Sequence, residues 1–164
     1  IHKVSAHCGW STPEVYEIWT GKAVIYMQES GQDDPGRCFA VEAGAGDVVI
    51  VPPGWVHATI SADPKQPLTF GAWCDRDYGF AYADVRRHGG IAWFPLLTAE
   101  GKLRWTPNPA YHTSQLTIKP PRDFNDLGLE KGKSIYRQFE EDPDRFLFVS
   151  DPARAANIWK NYIP

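Results

Sequence analysis

Through residues 15–105 the apolar positions come in short bursts rich in β-branched and aromatic side chains. The segments VYEIWT, KAVIYMQES, RCFAVEA, DVVIVP, HATISA and LTFGAWC follow one another at nearly regular spacing. Turn formers separate them: Thr20-Gly21, the Gly/Asp/Pro run at 31–36, Ala43-Gly44-Ala45-Gly46, and Ala62-Asp63-Pro64. GIAWFPLL and KLRWTP add one more hairpin. Short strands punctuated this way predict an all-β sandwich or barrel rather than alternating strands and helices.

The pattern changes near residue 107. NPAYHTSQLTIKPPRDFNDLG is rich in proline and asparagine and reads as a long surface excursion. SIYRQFEEDPDRF and ARAANIWKNYI then read as helices. Asp151-Pro152 is expected to start the last one, with a carboxylate cap and proline at the first helical position. Two regions follow: a barrel over 1–111, and a C-terminal loop and short-helix extension over 112–164, packed on the barrel or on a partner chain.

Composition narrows the function. The chain has 164 residues, a formal net charge of −3 and 43% apolar residues. That is the size of one domain with a substantial core, and it argues against a nucleic-acid or anionic-membrane partner. No apolar run reaches the roughly 18 residues of a membrane span. Three cysteines, Cys8, Cys38 and Cys74, share no CxxC spacing. An odd number of dispersed thiols fits packed cysteines in a reducing, cytoplasmic setting. The sequence opens at Ile1 without a methionine, consistent with a fragment or processed form preceded by further barrel strands.

The chemistry centres on GDVVIVPPGWVHATIS. Gly46-Asp47 turns the chain into a buried strand, Pro52-Pro53-Gly54 ends it sharply, and His57 opens the next strand. A rigid turn that delivers one imidazole suits a metal ligand, although a lone histidine there more commonly just caps a strand. Upstream, AHCGWSTPEVYEIWTG holds His7, Glu14 and Gly21.

Together the two stretches resemble the paired motifs of the cupin superfamily. Gly46, Pro52, Gly54 and His57 match the second motif, with Ser61 in its final asparagine place, and Glu14 with Gly21 matches the end of the first. The closer resemblance is to the cupin-type phosphoglucose isomerases, over roughly residues 5–111. His7 followed by Pro13-Glu14-Val15-Tyr16, the run Val51-Pro52-Pro53-Gly54-Trp55-Val56-His57, and Asp77-Tyr78-Gly79-Phe80-Ala81-Tyr82 carry it.

That resemblance implies a double-stranded β-helix, or jelly-roll barrel, and metal ligands at His7, Glu14 and His57. It also implies catalytic roles for Glu14, Tyr16 and Tyr82, a divalent iron, manganese, nickel or zinc ion, a sugar-phosphate substrate and a homodimer. Two imidazoles and a carboxylate suit a first-row divalent ion holding vicinal sugar oxygens. The implied reaction interconverts glucose 6-phosphate and fructose 6-phosphate.

Two departures stand out. Ser5 occupies the place of the family's first histidine, and His2-Lys3-Val4 stands where Thr-Lys-Gly holds the phosphate. Strand sides alternate and the offset of His2 from Ser5 is odd, so His2 replaces the lost ligand only after a register shift. These departures keep open a cupin that binds a sugar or sugar phosphate without turning it over. A ferrous two-histidine, one-carboxylate oxygenase is a further alternative.

Overall fold

The computed structural model describes residues 1–75, 77 and 79–164. Nine strands form the body: β1 Glu14–Thr20, β2 Lys22–Gln28, β3 Cys38–Gly44, β4 Val48–Val51, β5 Val56–Ser61, β6 Thr69–Cys74, β7 Trp93–Leu97, β8 Leu103–Pro107 and β9 Leu116–Lys119. They make a three-stranded sheet in the order β4-β1-β6, a four-stranded sheet β5-β2-β3-β9, and the β7-β8 hairpin. Among the described residues the short α-helices are α1 Ala83–Arg87, α2 Ile135–Glu141, α3 Leu147–Ser150 and α4 Ala156–Lys160. The fold is all-β and cupin-like, with few short helices.

Side-chain alternation explains how the sheets stack. Tyr16 and Ile18 of β1, Val49 and Val51 of β4, and Ile25, Met27 and Val41 of β2 and β3 share one buried cluster between the two sheets. Their neighbours point the other way. Val15 and Ile50 are fully buried against Phe124, Phe146, Phe148 and Trp159 of the C-terminal extension. Tyr26 of β2 packs under the hairpin region with Trp105, Ala92 and Tyr111. β1 and β2 are therefore covered on both faces, which is why AVIYM reads as a continuous apolar run rather than an alternating one.

Gly21 shows why the β1–β2 connection requires glycine. Its φ is +79°, and a Cβ there would lie 2.7 Å from the carbonyl oxygen of Pro67. Any larger residue meets both backbone strain and a fixed backbone atom.

The structure departs from the sequence reading in three places, two of them in the extension. Residues 116–119 within the expected loop form β9, which pairs in parallel with β3 from Cys38↔Leu116 to Val41↔Lys119. α1, between β6 and β7, was not foreseen. At Asp151, proline does occupy the first position, but of a 3₁₀ turn over Pro152–Ala155, and the carboxylate makes no cap bond. Arg154 takes it instead, its Nε donating to Asp151 Oδ2 at 3.3 Å.

Elsewhere capping is conventional: Ser134 accepts the Arg137 N–H at the start of α2. Among the described residues no helix is long and apolar enough to cross a membrane.

Candidate metal centre

His57 is the second residue of β5 and lies directly opposite Met27 of β2, a core-facing position. The turn before it is built from its own sequence. The Trp55 N–H returns to the Pro52 carbonyl at 3.4 Å, and Gly54 adopts φ +82°. Trp55 is then driven into the core, stacked on Phe39. From there its carbonyl oxygen sits 3.1 Å from His57 Nδ1. The prolines and glycine thus position both the imidazole and the acceptor that orients it.

Glu14, the first residue of β1, is 8% exposed and points the same way as Tyr16 and Ile18. Its Oε2 lies 2.9 Å from His57 Nε2 and 3.2 Å from His2 Nε2. His2 is 3% exposed, its ring 5.3 Å from that of His57 and edge-on to it. Its Nδ1 faces the Thr12 carbonyl at 2.8 Å and the Thr12 hydroxyl at 3.1 Å.

These bonds fix the tautomers. A backbone carbonyl only accepts, so each Nδ1 carries the proton and donates it, to Thr12 and to Trp55. In the neutral rings both Nε2 lone pairs then point at the carboxylate oxygen. Two imidazole nitrogens facing one carboxylate oxygen make a donor set suited to a cation, with the second ring nitrogen anchored as metal-bound histidines usually are. Burial pushes the Glu14 carboxyl up, while hydrogen bonding and charge from His2 and His57 more than reverse it, leaving it well below the usual carboxylate range.

The structure does not bring His7 to this cluster. Residues 4–11 fold back on themselves instead of running straight into β1: Val4 bridges Ser11, and the Ser5 N–H donates to the Trp10 carbonyl. Ser5 is 1% exposed, and its hydroxyl accepts the backbone N–H groups of His7 and Cys8. His7 is left exposed on the turn. The strand-parity argument against His2 fails for the same reason, since a loop separates His2 from Glu14. Gly9 and Pro13 were the available signals that no continuous strand runs through 2–14.

Ser11 ties the two histidine-bearing segments together. Its hydroxyl donates to the His2 carbonyl at 2.8 Å and accepts the Gly54 N–H at 2.9 Å. Phe80 completes the wall, pairing with His2 through an isolated bridge and packing its ring 5.1 Å away.

Tyr16 lies beside the cluster, its ring 6.3 Å from His57. Burial first, then the charge of Glu14, raise its hydroxyl far above the ordinary tyrosine value, so it stays protonated. Tyr82 is placed differently. It is 50% exposed at the start of α1, with Arg86 over its ring, and its ring packs on Phe80. Tyr78 of the Asp77–Tyr82 motif lies outside the described residues.

Cys74, not anticipated as a site residue, ends β6 directly opposite Glu14. Ligand atoms of His2, Glu14 and Cys74 all lie within 4.8 Å of one another, the one such trio of potential metal donors among the described residues. The alternation Phe70, Ala72, Cys74 was its sequence signal.

An all-β cupin-like scaffold carrying two imidazoles and a carboxylate at one rim defines the class. A family model described as glucose-6-phosphate isomerase (GPI) matches residues 1–112 of the 164. The chain belongs to that family, in its cupin-type form. A comparison with curated proteins gave no match.

Proposed function

We propose that the protein is a metal-dependent aldose–ketose isomerase that interconverts glucose 6-phosphate and fructose 6-phosphate, with His2, Glu14 and His57 as the metal donors. The observation that carries this reading is the convergence of two Nε2 atoms on Glu14 Oε2, each ring held through Nδ1 by a backbone carbonyl. Membership of an isomerase family supplies the reaction class. A divalent iron, manganese, nickel or zinc ion in this pocket would polarise the adjacent carbonyl and hydroxyl oxygens of the open-chain sugar.

The chain's own residues then have distinct tasks. Glu14, a donor to the ion alongside the two imidazoles, acts as a fixed ligand and not as a mobile base. The hydrogen on C2 of the aldose therefore passes directly to C1 as hydride, while the oxygens exchange a proton. Tyr16, protonated and next to the carboxylate, is the hydroxyl that serves those oxygens. Ser5, whose substitution for a histidine suggested a catalytically impaired site, has a structural occupation as the cap of an exposed turn.

The test is conversion of fructose 6-phosphate by purified protein after chelation, then after metal is restored. Turnover that disappears and returns supports the reading. A folded chain that never turns over with any of these ions refutes it.

A further inference from the structure

The resemblance places only nitrogen and oxygen donors in this site, yet a thiol stands beside them. We propose that Cys74 is itself a donor to the metal, so that the centre is a two-histidine, glutamate, cysteine site with a preference for thiophilic ions. This rests on the metal-site reading above and extends it.

The register requires Cys74 to be there. Glu14 is paired with Cys74 on one side and with Val51 on the other. Directly opposed residues of an antiparallel pair project to the same face, so the thiol and the carboxylate both face inward. Phe70, two places further from the site on that face than Ala72, packs on Tyr16 at 5.6 Å and confirms the direction.

Distances agree with a shared ion. Donors about 2.0–2.3 Å from a metal lie about 3–4 Å from one another. The two Nε2–Oε2 separations, 3.2 and 2.9 Å, are close to this range, and the Cys74 sulfur lies within 4.8 Å of ligand atoms of His2 and Glu14, a trio that does not include His57.

None of the three cysteines forms a disulfide. Cys38 is buried at the start of β3, where its sulfur contacts Ser114, and Cys8 sits on the exposed turn, with its sulfur toward the Trp10 carbonyl. On binding, the thiol proton of Cys74 leaves to solvent and the thiolate joins the ion. A thiolate favours zinc, cobalt and iron over manganese and magnesium, so this one residue sets which metal the site holds.

Cobalt(II) is the probe. Metal-free full-length protein is titrated anaerobically with cobalt, following both bound metal and the near-ultraviolet thiolate-to-cobalt charge-transfer band. Expected is a band in the wild type and in Cys38→Ser and Cys8→Ser, absent from Cys74→Ser and Cys74→Ala. The Cys74 variants should still retain cobalt, with affinity lower by about tenfold or more. Manganese affinity should change much less.

Cobalt held by the wild type without the band overturns the proposal whether or not the Cys74 variants fold, as does a band that persists in Cys74→Ser. Folded wild type that retains no cobalt, zinc or manganese overturns the underlying metal reading, and this inference with it.

Discussion

His57 and Glu14 meet across the sandwich: the histidine comes from β5 of one sheet, the glutamate from β1 of the other, and 2.9 Å separates Nε2 from Oε2. A cation held there cross-links the two sheets. Because the unfolded chain has no such site, binding stabilises the native state, by about 2.7 kcal/mol at a free concentration one hundred times Kd. Thermal melts of chelated and metal-restored protein should differ accordingly. The metal-dependent rise should disappear in His2→Ala and His57→Ala and survive in His7→Ala. A rise that depends on His7 and ignores His2 reverses the assignment.

Glu17 performs a second cross-link, in this case to the extension. It points to the opposite face of β1 from Glu14, and its Oε1 accepts the backbone N–H of Ile135, 118 residues away, at 3.1 Å. Its Oε2 accepts the Trp19 indole N–H at 3.0 Å. Replacement by alanine strands a buried helix-terminal N–H, a loss of about 1–3 kcal/mol. Denaturant midpoints measure the loss, and hydrogen exchange at the Ile135 amide should accelerate well beyond that at the β2 core. Unchanged exchange there means that the extension does not depend on this bond.

How much of this could be read from the chain depends on whether neighbours in sequence are neighbours in the fold. The strand bursts and their turn residues were local, and β1 through β8 followed them. His57 and Glu14 were legible because a rigid turn and a strand start each fix one side chain. His2 was not, because its position depends on the detour of residues 4–11 and on contacts to Thr12 and Phe80, which spacing does not encode. Cys74 required the β1–β6 register, and β9 required knowing that β3 offered a free edge to a chain segment 76 residues beyond Cys38, where Ser114 meets its sulfur. Proline-rich composition around 107–121 described the loops accurately and concealed the four-residue strand between them.

Glu29 and Arg37 close the loop between β2 and β3 and give it a pH signature. Burial raises the Glu29 carboxyl, but its hydrogen bonds and charge pairing with Arg37 outweigh this, and its pKa falls below the ordinary carboxylate value. The bonds are short, 2.8 Å from Nε to Oε1 and 2.7 Å from the Arg37 backbone N–H to Oε2. A lowered folded value means that the stabilisation is complete above the unfolded pKa, about 4.3, and is lost as pH falls through the folded one. The melting difference between wild type and Glu29→Gln should therefore be constant near neutrality and close below about pH 4. The pair is partly exposed, so the difference is small and should shrink further in high salt. A gap that widens with acid contradicts the assignment.

Tyr16 and Tyr82 are separated by the structure into a site residue and a surface residue, and kinetics can tell them apart. Tyr16 is 5% exposed beside Glu14, while Tyr82 is half exposed beneath Arg86. If Tyr16 serves the sugar oxygens, Tyr16→Phe removes one general acid–base group, worth about 10²–10⁴ in kcat. The metal-dependent rise in melting temperature should remain, because the phenol is not one of the donors. Tyr82→Phe should leave both quantities nearly unchanged. Substrate deuterated at C2 adds a second readout: with Glu14 held as a donor, the label should reappear at C1 in both variants and in the wild type. Exchange of that label with solvent would instead make a mobile base part of the mechanism, and Glu14, no longer held as a donor during turnover, is the group positioned to be it.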